Sequence, residues 1–482
     1  MPPLTSLLTP SFFFPPFSSD LEATAKLYRH LVSVMPRVNP HYAVKCFPDT
    51  GVLATLASLG AGFDCASAGE VLQVLNLGVA SSRVIFANPC KRFVDLATIS
   101  KHQVPHTTFD SAFELDKLAS RCPGVGCVLR IRADDPTARM PFGVKYGATA
   151  NEFLPLLQHA HSLGLRVAGV SFHVGSGAGS PGAYKNALLA ARSVWDLYAR
   201  DVEPAALVRP WLVDIGGGLT GGFDEKTGDA FVQVGTSAPD AVAWAVNAAL
   251  DELFPETDFP GGLTCISEPG RYFAECSSHI VTRVFGKRER LPEAKVEAAE
   301  PAQIDYSSDE CEEKKNHSSD EECETPTPEK AQPFSADGGE VHYYISDGLY
   351  GGFNAIVYDG WLPKAIPFRV NSCTGGAMVV TEPGPRNAPA TLFGPTCDSL
   401  DMVFCKLNDC PKLEVGDWLL FPACGAYTQA GATDFNGIPS TFGGGVRNFY
   451  VRAADHAVSE ADLALPVLFN PVGPVSVKKN FA

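Results

Sequence analysis

At 482 residues, 45% of them hydrophobic, the chain exceeds the usual size of one hydrophobic core and predicts a soluble protein of two domains. Its formal charge of −16 argues against nucleic acid or an anionic membrane surface as partner, and no run of about 18 apolar residues offers a membrane-spanning helix. Fourteen cysteines at scattered positions show neither a paired framework nor metal-ligand spacing, so they read as reduced thiols of a cytoplasmic protein.

The apolar start "LTSLLTPSFFFPPF" is broken by prolines and lacks a basic flank. Residues 1–19 therefore read as a disordered tail rather than a secretory signal, although an organellar transit peptide stays open. From 20 to 275, β-type runs alternate with helical patterns: "YAVKC", "GFDCAS", "RVIFAN", "HTTFD", "CVLRIR", "AGVSFHVG", "WLVDIGG" and "TCISEPG" are the strands. Segments such as "AGEVLQVLNLG", "AFELDKLASR" and "APDAVAWAVNAALDELF" carry apolar residues at spacings of three and four between them. Eight such repeats in roughly 250 residues predict a (β/α)8 TIM barrel, with a doubly wound open sheet as the alternative.

Beyond 335 helical periodicity fades and strand-like runs separated by Gly and Pro take over, as in "VHYYISDG" and "DWLLFPACGAYT". Residues 276–482 are thus expected to form a mainly β domain of sandwich or barrel type, interrupted at 289–334 by an acidic insertion. Residues 291–333 hold 13 acidic and four basic side chains, a net of −9, which is more than half of the whole charge. That stretch cannot bury a core and is expected to be disordered.

In a barrel, chemistry gathers at the C-terminal ends of the strands. The unusual residues fall there: Lys45, Asp64, Arg130, His173 and Ser176, the glycines Gly216, Gly217 and Gly218, and the run from Glu268 to Arg271. "DIGGG" offers bare backbone amides to a phosphate, although a tight turn alone would account for it. "SEPGR" pairs a carboxylate with a guanidinium, and "SFHVGSG" sets an imidazole and hydroxyls among glycines. A lysine facing a phosphate site across a barrel mouth suits a pyridoxal phosphate Schiff base. The amine must be neutral to attack a carbonyl, and an apolar strand is expected to favour that form.

The ordered motifs "YAVKC", "GFDCAS", "IFANPCK", "VLRIRADD", "GVSFHVGSG", "DIGGG", "EPGRY", "DGLYGGFNAIVYD", "GPTCDSLD" and "GAYT…DFNG" resemble eukaryotic ornithine decarboxylase, a fold-type III pyridoxal-phosphate family. The resemblance implies an alanine-racemase-like barrel followed by a β domain. It implies Lys45 as the Schiff-base lysine, with Asp64, Glu70 and Arg130 beside it, His173 stacked on the cofactor ring and Glu268 on the pyridine nitrogen. Ser176, Gly216, Gly217, Gly218, Gly270, Arg271 and Tyr427 would surround the phosphate. Family members are homodimers with shared active sites, so Cys397 and Asp398 would enter from the second copy, Cys397 as proton donor to the α-carbon. Asp359 and Asp398, with Tyr358 nearby, would receive the distal ammonium of L-ornithine, and an antizyme is a possible partner.

The chain departs from the family at Phe47, where Asn is usual, in "GGGLTG" for "GGGFPG", and in "YDG" for "YDH". These changes bear on the substrate pocket and leave lysine or arginine decarboxylation as the alternative, with a non-catalytic antizyme-inhibitor-like protein behind it. Family members also carry an N-terminal strand of the β domain, which this chain is expected to lack.

Overall fold

The structure is a computed structural model that describes residues 17–141, 145–290, 340–370, 377–380, 389–438 and 449–451. Eight strands close a parallel barrel: β2 (Val38–Ala43), β3 (Gly62–Cys65), β4 (Val84–Phe86), β5 (His106–Phe109), β6 (Gly126–Arg130), β7 (Val167–Ser171), β8 (Trp211–Asp214) and β11 (Leu263–Ser267), the last pairing with both β8 and β2. The open-sheet alternative is thereby excluded. Helices cover the outside and side chains fill the inside, so β3, β7 and β8 are buried on both faces along their whole length. Ile85, Val128, Leu212 and Ile266, one each from β4, β6, β8 and β11, form a four-residue layer within the barrel.

Local chemistry sets where the helices start. Asp49, Ser67 and Ser111 each accept an amide hydrogen bond in the first turn of 50–59, 68–76 and 112–121, and Gly60 ends the first of these at φ 100°. A hairpin of β9 (Thr220–Phe223) and β10 (Ala230–Gln233) is inserted after β8.

The C-terminal sheet runs β15 (Ala377–Val379), β14 (Ile366–Val370), β18 (Trp418–Phe421), β12 (Ser278–Arg290), β13 (Glu340–Ile345), β16 (Ala390–Phe393) and β17 (Met402–Leu407). Two expectations need correction here. The N-terminal strand is present: β1 (Phe17–Asp20) pairs antiparallel with β12 and parallel with β19 (Phe449–Val451), and Asp20 then caps helix 21–34 by accepting from the Ala23 N–H at 2.9 Å. The edge of β12 supplies partners that a short polar "FSSD" run does not advertise. The acidic stretch begins later than 289, because β12 pairs with β13 as far as Arg290; residues 291–339 lie outside the described residues. Among the described residues no helix is long and apolar enough to cross a membrane.

Candidate active site at the barrel mouth

Lys45 is not within a strand. Strand β2 stops at Ala43, and Val44–Cys46 form a single 3-10 turn, its exit fixed by the Tyr427 N–H donating to the Cys46 carbonyl at 2.9 Å and the Tyr42 hydroxyl donating to the Phe47 carbonyl at 3.0 Å. Phe47 itself is fully buried in the main core. The turn sends the Lys45 side chain, 41% exposed, into the mouth, where its ammonium is ion-paired with Asp64 at the end of β3.

The expected neutral amine is a second correction. Burial works to lower the Lys45 pKa, but the Asp64 and Glu268 carboxylates outweigh it and hold the group protonated, above the ordinary lysine range. Asp64 is 1% exposed, and its Oδ1 has no hydrogen-bond partner among the described residues. Glu70, in the first turn of helix 68–76, accepts from the Ala66 N–H at 2.6 Å; burial raises its pKa.

Across the mouth, Glu268 follows β11 and is buried against Asp214, and its Oε1 has no hydrogen-bond partner among the described residues. Burial first, then the Asp214 and Asp64 carboxylates, push its pKa well above the usual range, and burial pushes Asp214 up as well. Two carboxyl groups enclosed side by side cannot both ionise cheaply. His173 is half-buried after β7, its Nδ1 accepting from the Gly175 N–H at 3.1 Å, which leaves the ring proton on Nε2. Burial and the Arg130 and Lys45 cations depress its pKa, so the ring is neutral. Arg130 itself lies over the Tyr146 ring at 5.6 Å.

The glycines make room. Gly216 has φ +66°, and a Cβ there would sit 2.1 Å from the Phe172 carbonyl; one on Gly217 would meet His173 Nε2 at 2.7 Å. Gly270 packs against Cys46, and Arg271 next to it is 3% exposed, donating to Ser176 Oγ at 3.0 Å and to Asp359 Oδ1 at 2.6 Å. The Arg271 guanidinium lies over the Tyr427 ring at 5.1 Å, and its Nε lacks a partner among the described residues. Burial raises the Tyr427 pKa to about 12, so the phenol keeps its proton.

The structure thus brings together Lys45, Asp64, Glu70, His173, Ser176, Glu268, Gly270, Arg271, Tyr427 and Asp359, with the glycine run between them. It does not bring Cys397 and Asp398 to this mouth within one chain. Cys397 is exposed and hydrogen-bonds Asn436; Asp398 accepts from the Tyr350 hydroxyl and from the Leu400 N–H at 2.9 Å. Tyr358 is 71% exposed, and Asp359 contacts Arg271 and Arg139 rather than Asp398. Sequence reasoning passed over Asp214, although it stands in the "DIGGG" motif, because the glycines drew the inference. Arg139 and Glu275 carried no signal at all.

A lysine on a carboxylate, a neutral half-buried imidazole, a glutamate oxygen without a partner among the described residues and a glycine-lined recess beside a buried arginine fit a flat, heteroaromatic phosphate ester. Two family profiles match: "Pyridoxal-dependent decarboxylase, pyridoxal binding domain" over residues 20–275 and "Pyridoxal-dependent decarboxylase, C-terminal sheet domain" over 312–425. The chain belongs to the pyridoxal-dependent decarboxylase family. Its cofactor is pyridoxal phosphate; among the described residues Asp64 Oδ1, Glu268 Oε1 and Arg271 Nε at the mouth have no hydrogen-bond partner. Among relatives of this decarboxylase family, the chain is 36% identical to an ornithine decarboxylase of Nicotiana glauca described as chloroplastic, over 87% of this chain and 80% of that one. It is 35% identical to antizyme inhibitor 2 of Xenopus laevis, over 87% and 78%. The crystal structure of the Paramecium bursaria Chlorella virus arginine decarboxylase superposes with a TM-score of 0.70 at 31% identity, covering 92% of this chain and 97% of that one.

Proposed function

We propose that the chain is an L-ornithine decarboxylase that releases carbon dioxide and putrescine, an early step of polyamine biosynthesis. The observation that carries the reading is the Lys45–Asp64 ion pair facing a buried Glu268, a complete set for holding and tuning the cofactor. Lys45 would carry the cofactor, with Asp64 retaining the proton that the amine gives up. Glu268, backed by Asp214, would hold a proton at the ring nitrogen, and His173 would cover the ring without adding charge. Arg271, Ser176, Tyr427 and the amides of Gly216, Gly217, Gly218 and Gly270 would bind the phosphate. Bound there, pyridoxal phosphate supplies an electron sink for the pair left when carbon dioxide departs.

The other half of the site would come from a second copy of the chain. In that homodimer, Cys397 of the partner subunit would deliver a proton to the α-carbon, and the partner's Asp398 would share the distal ammonium with Asp359. Two carboxylates reward a terminal cation, because a substrate lacking it leaves them buried and unpaired. A second reading, lysine or arginine decarboxylase, is supported by the viral arginine decarboxylase neighbour and by Gly360 following Asp359. Carbon dioxide release from ornithine, lysine and arginine, measured side by side, tests both: ornithine is expected to lead, and equal or faster turnover of lysine or arginine overturns the substrate assignment. The relationship to antizyme inhibitor 2 supplies the third outcome, no release from any of them and no cofactor absorbance on adding pyridoxal phosphate.

A further inference from the structure

Asp359 is enclosed, 5% exposed, and its two oxygens are treated differently. Oδ1 accepts from the buried Arg271 at 2.6 Å, while Oδ2 accepts no hydrogen bond among the described residues and lies 3.6 Å from Arg139 Nη1. The two guanidinium groups are not equivalent. Arg271 is 3% exposed and also held by Ser176 Oγ. The Arg139 side chain is 36% exposed and already donates to Glu275 Oε1 at 3.2 Å, so it can leave Asp359 without becoming unpaired.

Its backbone, by contrast, is pinned beside the site. The Arg139 N–H donates to the Gly177 carbonyl at 2.8 Å, and Met140 and Ser176 exchange amide hydrogen bonds at 3.0 and 3.1 Å. A fixed backbone carrying a half-exposed cation with a second carboxylate in reach describes an exchangeable ion pair rather than a structural one.

We propose that Arg139 is a specificity-determining residue: its guanidinium stands at the Asp359 oxygen that a substrate's distal ammonium takes, and the substrate enters by moving it onto Glu275. The inference rests on the reading of Asp359 as the acceptor of the distal cation. Arg139 then acts as a built-in competitor. It weakens binding of every amino acid and amine with a terminal cation, and leaves those with a neutral tail untouched.

The test uses the protein loaded with pyridoxal phosphate, as wild type, Arg139→Met and Arg139→Lys. Calorimetric titration with putrescine reads the cation site without turnover. Arg139→Met is expected to tighten putrescine roughly 2- to 5-fold, the range of a partly exposed ion pair, with Arg139→Lys close to wild type. The KM for ornithine should fall in the same variant while that for norvaline, which has no distal cation, stays put. Unchanged or weaker putrescine binding in Arg139→Met overturns the proposal, as does a parallel shift for norvaline, which would mean a general disturbance of the pocket. If the wild type binds putrescine but does not decarboxylate ornithine, the functional reading fails, and the Arg139→Met titration still decides this one.

Discussion

At the barrel mouth two cations meet carboxylates from elsewhere in the same chain: Lys45 meets Asp64 at the end of β3, and Arg271 meets Asp359, which follows helix Ala355–Tyr358. The face of the C-terminal domain that carries Cys397 and Asp398 is built the other way. Its thiol is exposed, its carboxylate is held by Tyr350 and a local amide, and the apolar Leu400 and Phe435 beside it lie open at 59% and 42%. The first region is finished inside one chain. The second carries the residue types of an active site on an open surface, as the proposed shared site requires.

The contrast can be broken in order of expected effect. Lys45→Ala removes the amine on which the mouth depends; turnover should fall by roughly 10^3-fold or more and the cofactor absorbance band should vanish, read in one spectrum and one assay. A variant that keeps the band refutes the role of Lys45. Cys397→Ala lies on the exposed face, so it should cost on the order of 10^2-fold in turnover while the cofactor spectrum stays that of the wild type. Loss of the spectrum would place Cys397 in the wrong half.

Glu268→Gln probes the enclosed carboxyl pair. Because burial raises Glu268 and Asp214, the folded protein takes up protons more readily than the unfolded chain. Their contribution to stability is full below the ordinary carboxylate range and is lost as pH rises through that range toward neutrality. The cofactor-free Glu268→Gln protein should therefore lose less stability than wild type between about pH 4 and pH 7, by on the order of 1 kcal/mol, in paired denaturant titrations. Identical slopes would show that the pair is not strained. The smallest effect belongs to Tyr350→Phe, which frees Asp398: the KM for ornithine should rise roughly 3- to 10-fold, with cofactor affinity as in wild type.

Much of this could be read from residues alone, and the exceptions have physical causes. The eight strands were legible because parallel barrel strands, buried on both faces, are short apolar runs spaced by amphipathic helices. The conformation of Lys45 was not, since its turn is set by an amide of Tyr427 in the other domain. Its charge was misjudged for a related reason: "YAVKC" shows an apolar setting and hides Asp64, which reaches Lys45 only once β2 and β3 pair. Strand β1 escaped notice because "FSSD" has no alternation to announce an edge strand, and its partner β12 lies far along the chain. Arg139 meets Asp359 through the fold alone, so no motif could have named it.

The central claim is that each active site is assembled from the barrel mouth of one chain and the Cys397 face of another. Co-refolding Lys45→Ala with Cys397→Ala, two variants that are each nearly inactive, tests it directly. Random pairing gives half mixed dimers, each with one site that keeps both Lys45 and Cys397, so about one quarter of wild-type decarboxylation should return. Activity no greater than the two variants show separately, in a preparation proven to contain mixed dimers, would contradict the account.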